Sequence, residues 1–148
     1  TRSVNHRFRP LIMYSKSAKP IDHVAIAVHS IEDSASEFEK LSGHICSAVE
    51  TLESQGVRLA FIGSIELIEP LSPDSAVGRF LERKGQGLHH IAYRTDDIYF
   101  ELSKLTAEGI ELIDQQPRTG ANGHLVAFIH PRSTGGILTE LVQHSEQE

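Results

Sequence analysis

Residues 21–28 and 88–95 alternate apolar side chains with small or polar ones at a two-residue period. That period belongs to a strand lying with one face on a core. In the first run Val24, Ile26 and Val28 share one face, and His23, Ala25 and Ala27 the other. In the second, Ile91 and Tyr93 oppose His90, Ala92 and Arg94. Aligning His23 with His90 also matches Val24 to Ile91 and Ala25 to Ala92, so the runs are near copies. Helical spacing follows each. Ser30 or Asp33 caps a predicted helix to about residue 41, with Ile31, Ala35, Phe38 and Leu41 on one face and Gly43 as its stop. Asp96 or Asp97 caps another, with Ile98, Leu102 and Leu105 on one face and Gly109 at its end.

Three more strands are expected in each half. Residues 45–52, 57–62 and 64–68 make the first set, with turns at Gln55-Gly56 and Gly63-Ser64 and an end at Pro70. Residues 110–114, 125–130 and 137–143 make the second, with a glycine-rich loop over 117–123 and a turn over 131–136. Between the halves, Pro73-Asp74-Ser75 opens a short helix over 76–84, closed by Gly85 and Gly87. The order is βαβββ, linker helix, βαβββ, an internal repeat over residues 21–70 and 88–143. Each module alone would expose one sheet face. The predicted fold class is therefore α+β: paired βαβββ modules forming one curved mixed sheet around a metal-binding cavity, with helices outside. Residues 21–148 are read as a single domain. Residues 1–20 are polar and basic without a sustained period, and are read as an N-terminal extension or expression remnant, partly ordered through Leu11, Ile12 and Met13.

Composition narrows the partners. The 148 residues, 39% apolar and 23% charged, suit one soluble core. No apolar run approaches the ~20 residues of a membrane-spanning helix. The net charge of −6, with no basic stripe, argues against a nucleic-acid partner. The single cysteine, Cys46, excludes an internal disulfide and fits a reducing, cytoplasmic setting. Cys46 is read as packing, because no base is positioned for it. Nine histidines favour metal chemistry.

The repeat also matches the last strands of the two halves, aligning Glu66 with Glu140 as His23 aligns with His90. A carboxylate between leucines is costly if it faces a core unpaired. Beside two imidazoles it can be satisfied by a cation. Two imidazoles and two carboxylates suit cobalt, nickel, zinc, manganese or iron, and leave room for water or substrate.

Four stretches resemble a known family: IDHVAIAV over 21–28, ELIEPL over 66–71 with Asp74-Ser75, GLHHIAYRTDDI over 87–98, and PRTGANGHLVAFIHPRSTGGILTELVQ over 117–143. Together they resemble the vicinal oxygen chelate superfamily, which includes glyoxalase I, extradiol dioxygenases and bleomycin-resistance proteins, and within it methylmalonyl-CoA epimerases. The resemblance implies a divalent metal held by His23, Glu66, His90 and Glu140, and epimerisation at C2 of methylmalonyl-CoA or a related acyl-CoA. The metal would chelate the thioester and carboxylate oxygens and stabilise an enediolate. Glu140 would be both ligand and catalytic base. A second acid/base is required, since the proton leaves one face and returns to the other. In some bacterial epimerases it is a glutamate two places beyond Gln-Gly-Val. Here Gln55-Gly56-Val57 is followed by Arg58 and Leu59, so that place carries no base. Relatives are often dimers, and a homodimer is the expectation.

Two other readings remain open: a glyoxalase-I-like isomerase using the same quartet, and a metal-free protein that sequesters small molecules. Around the quartet, His89 is expected to alternate away from His90 toward the helices. Arg94 is read either as a partner for an anionic substrate or as a solvated strand-end residue. His124 is a candidate substitute acid, and His130 either lines the pocket or serves a turn. Gly135-Gly136 is read as a tight turn rather than a phosphate cradle, since no helix follows it.

Overall fold

The computed structural model describes residues 18–145. The expectations for Leu11, Ile12 and Met13 lie outside the described residues. Eight strands form one sheet: β1 (Ile21–Ala27), β2 (Glu50–Leu52), β3 (Val57–Ile62), β4 (Ile65–Pro70), β5 (Gly87–Arg94), β6 (Arg118–Thr119), β7 (Leu125–Ile129) and β8 (Thr139–Gln143). The helices are α1 (Ile31–Ser42), α2 (Ala76–Lys84) and α3 (Ile98–Ala107). Strand order is β2-β3-β4-β1-β5-β8-β7-β6, so the two halves meet where β1 pairs antiparallel with β5. Each first strand pairs parallel with the last strand of its own half, β1 with β4 and β5 with β8. No described helix is long and apolar enough to cross a membrane.

The helix ends follow the expected chemistry. Ser30 accepts from the Asp33 N–H at the start of α1, and Gly43 ends it in the left-handed region at φ 79°. Asp97 caps α3 by accepting from the Phe100 N–H. Ser75 caps α2 by accepting from the Gly78 N–H. Helix α1 covers Ile26, Val28, Ala60, Ile62 and Leu67 on one sheet face. Helix α3 covers Tyr93, Ala127, Ile129 and Leu141 on the equivalent face of the other half. The linker α2 packs Val77 and Leu81 against Ala25, Leu59 and Ile68, on the side that carries the cavity.

Several expected elements are shorter than the pattern implied. Of 45–52, only Glu50–Leu52 pairs, while Ile45 stands 86% exposed in irregular chain. Of 110–114, only Leu112 bridges to Ile129. Leu41 completes the α1 stripe on paper but is 85% exposed. Pro70 is the last residue of β4 rather than a stop before it, and pairs with Val57.

The β1–β5 ladder slips twice. Ile21 pairs with Tyr93 and His23 with Ala92, which leaves Asp22 as an extra residue in β1. Ala25 pairs with His90 and Ile26 with Leu88, which leaves His89 extra in β5. A bulge of this kind puts two residues opposite one and re-aims a side chain. Strict alternation therefore fails at both sites. His89 does touch α2, where Phe80 meets its ring edge-on at 4.9 Å. It nevertheless lines the cavity beside His90, which corrects the expectation that it turns away.

Candidate metal centre

The four central strands, β4, β1, β5 and β8, carry Glu66, His23, His90 and Glu140 respectively. Register explains their convergence. Ala25 lies between Glu66 on β4 and His90 on β5. Ala92 lies between His23 on β1 and Glu140 on β8. Both alanines are fully buried, and their single methyl groups leave space over the sheet for the longer side chains to meet. Phe61 lies opposite Glu66 and packs edge-on to His23 at 5.5 Å. Phe128 lies opposite Glu140 and packs edge-on to His90 at 5.2 Å. The site thus has the same approximate two-fold symmetry as the chain.

All four residues are buried. His23 Nε2 is 3.2 Å from Oε1 of Glu66 and 3.2 Å from Oε1 of Glu140. His90 Nε2 is 3.1 Å from Glu140 Oε1 and 3.8 Å from Glu66 Oε1. Ligand atoms of His23, His90 and Glu140 all lie within 4.8 Å of one another, a spacing that can hold a metal ion. Glu66 stands at the edge of that trio. His23 Nε2, His90 Nε2 and Glu140 Oε1 are buried without a directional hydrogen bond, although each faces an oppositely polar atom. Unsatisfied buried polar atoms are costly. Three of them aimed at one point, with nitrogen and oxygen donors in the proportion such ions accept, fit a divalent cation.

Charge around the trio is strongly biased. Burial disfavours an imidazolium at His23, but Asp22, Glu140 and Glu66 raise its pKa to about 11 in the metal-free protein. Burial also disfavours ionised Glu140, yet His23 and His90 hold its carboxyl down to about 2. Glu140 is therefore a carboxylate at neutral pH. Desolvation, with His90 alongside, lowers His89 to about 4.

These groups form the floor of a cavity of about 690 Å³ whose walls include Leu52, Phe61, Val77, Asn122, His124 and Val126. Asp22 and His144 also line it and are absent from the predicted site. Asp22 enters through the bulge, which no periodicity in one strand reveals. His124 reaches the wall, where its ring stacks on that of His144 at 4.2 Å. His130 serves the turn after β7, accepting the Arg132 N–H at Nδ1. Arg94 lies at the exposed end of β5 and does not line this cavity. Cys46 packs against the α1 cluster, and burial raises its thiol pKa. Position 59 is the buried Leu59. Directly across from it on β2 stands Glu50, whose Oε1 accepts the Asn122 N–H at 3.1 Å. Its carboxylate thus bonds a residue of the cavity wall, a contact between segments far apart in the sequence.

Residues 22–128 match the family model of the glyoxalase/bleomycin resistance protein/dioxygenase superfamily. The uncharacterised protein YqjC of Bacillus subtilis is 48% identical over 137 residues, 86% of this chain and 98% of its own. The ethylmalonyl-CoA/methylmalonyl-CoA epimerase of Cereibacter sphaeroides is 35% identical over 129 residues, 83% of this chain and 96% of its own. A variant of Streptomyces coelicolor methylmalonyl-CoA epimerase, solved with 2-nitronate-propionyl-CoA, superposes with a TM-score of 0.83 at 34% identity, covering 88% of this chain and 97% of that one. With the curved eight-stranded sheet and its central histidines and glutamates, these matches establish that the chain belongs to the glyoxalase/bleomycin resistance protein/dioxygenase superfamily.

Proposed function

We propose that the protein is a metal-dependent epimerase acting at C2 of methylmalonyl-CoA or a closely related acyl-CoA. The observation that carries this reading is the convergence of three buried donor atoms without a directional hydrogen bond, on His23, His90 and Glu140, in the floor of one cavity. The likeness to epimerases of methylmalonyl-CoA and ethylmalonyl-CoA supplies the substrate class. His23, His90 and Glu140 hold the metal, with Glu66 as fourth ligand or as the carboxylate that orients the site. When bound, the divalent ion supplies Lewis-acid charge beside the substrate's carbonyl and carboxylate oxygens.

The chain's own groups manage the proton. Glu140 is ionised and buried, so it can accept the C2 proton without competing bulk water. Loss of that proton leaves C2 planar, and epimerisation requires delivery to the opposite face. Glu50 is the candidate for that second role. It stands across from Leu59 on β2, the edge strand of the half of the sheet that does not carry β8, and its carboxylate holds the Asn122 N–H at the cavity wall. Phe61, Phe128 and Val126 line the space between and keep it apolar, which limits side reactions with water.

The test is turnover of a single methylmalonyl-CoA epimer in deuterated water by protein purified without chelator and loaded with cobalt. Epimerisation with deuterium entering C2 is expected, and ethylmalonyl-CoA serves as the second substrate. Metal-loaded protein that exchanges C2 of neither compound overturns the reading. Isomerisation of a glutathione hemithioacetal in its place would point to glyoxalase chemistry.

A further inference from the structure

We infer that His144 is a positioning residue for the metal centre: through Asp22 it fixes the ring of His23 so that Nε2 is presented to the ion. This rests on the metal centre proposed above. Asp22 uses both carboxylate oxygens. His23 Nδ1 lies 2.7 Å from Oδ2, and His144 Nε2 lies 2.6 Å from Oδ1. A carboxylate only accepts, so both facing nitrogens carry hydrogens and donate. With Nδ1–H committed to Asp22, His23 has only Nε2 left as a ligand atom.

The geometry is held from both sides. Asp22 occupies the bulge of β1, so its backbone brings it beside His23 rather than opposite it. His144 lies just past the end of β8, the strand that carries Glu140. Its ring is stacked on His124 at 4.2 Å with the planes 12° apart, and His124 Nδ1 accepts the Ser145 N–H. The chain from His124 through His144 and Asp22 to His23 therefore ties the β7 side of the cavity to the metal ligand on β1.

The two histidine ligands are treated differently. Position 89 corresponds to position 22 in the repeat, and its bulge also aims inward. There a second imidazole, not a carboxylate, meets the ligand: His89 Nδ1 lies 2.8 Å from His90 Nδ1. A carboxylate partner makes a ligating imidazole more basic than a neutral one does. His23 should therefore be the more firmly oriented ligand, and His144 is part of the reason.

The test uses the full chain and cobalt(II). His144→Phe keeps the stack on His124 but removes the donor, and His144→Gln restores one. Cobalt affinity, followed by the ion's visible absorption, should fall about 10–100-fold in His144→Phe, the usual cost of losing an outer partner, and recover in part in His144→Gln. Thermal unfolding of the metal-free variants checks that they fold. In metal-free protein the His23 Nδ1 proton should exchange slowly with solvent, and faster in His144→Phe. Wild-type cobalt affinity and spectrum in folded His144→Phe overturn the inference. If even wild type binds no cobalt, the metal reading fails first. Unchanged Nδ1 exchange in His144→Phe then overturns the positioning of His23 separately.

Discussion

At the residue scale, one substitution separates the two roles proposed for Glu140, ligand and base. Glu140→Gln keeps an oxygen donor but loses the basic site. Metal should stay bound, more weakly, while turnover falls by the ~10²–10⁴-fold that accompanies loss of a general base. Near-normal epimerisation would show that Glu140 is a ligand only. Glu50→Gln should separate the two proton transfers: if Glu50 serves the opposite face, one epimer still washes its C2 proton out into deuterated water while its conversion slows. Equal loss of exchange and conversion from both epimers would remove Glu50 from that role. The electrostatics add a third expectation. In the metal-free protein three carboxylates hold a proton on His23 up to about pH 11, although burial opposes it. A metal ion must displace that proton, so binding should release protons and tighten as pH rises through the neutral range. Calorimetry in buffers of different ionisation enthalpy measures the release, and a buffer-independent heat would contradict it.

At the element scale, the sheet decides what the side chains can do. Ala25 and Ala92 sit at 0% exposure beside the strands that carry the proposed ligands, and a larger side chain there would enter the space where those side chains converge. Ala92→Val should cost about 1–3 kcal/mol by overpacking, measured by urea unfolding, and lower metal affinity with it. Wild-type affinity in that variant would mean that the alanines are not needed for convergence. Helix α2 is constrained from a different direction. A methyl group at Gly78 would collide with the Ser72 carbonyl and lie 2.6 Å from that of Pro73, both backbone atoms that cannot rotate away. Gly78→Ala should therefore displace the first turn of α2, which carries Val77 into the cavity wall. The elements were unevenly legible in advance. The helix caps Ser30, Ser75 and Asp97 are local chemistry, readable from a few residues. The stretches 45–49 and 110–114 read as strands, and each lies beside one: the Ser47 N–H reaches the Phe61 carbonyl and the Ile113 N–H the Phe128 carbonyl, but these isolated bonds do not build a continuous ladder.

At the scale of the whole molecule, the buried charges tie stability to pH and metal. In the metal-free protein His23 is raised from 6.5 to about 11. Its contribution is complete below 6.5 and is lost as pH rises through 11. Glu140 is lowered from 4.5 to about 2, so its contribution is complete above 4.5 and is lost as pH falls through 2. Burial lowers His89 from 6.5 to about 4, so its neutral, buried form costs stability as pH falls below 6.5. Metal-free stability should thus peak near pH 6.5, which unfolding at a series of pH values will show. Added metal should raise the unfolding temperature, by the equivalent of about 2.7 kcal/mol at a hundred times its Kd, and a chelator should reverse the gain. The repeat was written in the sequence: copies of a strand, a helix and a last strand carry His23 with His90 and Glu66 with Glu140, and a two-residue period places each pair on one face. Side-chain period is a local property, so a single chain displays it. Only the folded sheet determined the rest. The slips that turn Asp22 and His89 inward, the contact of Glu50 with the Asn122 N–H, and the arrival of His144 at Asp22 depend on contacts between segments far apart in the chain. Register is fixed by pairing and packing between strands, and no period within either one contains it.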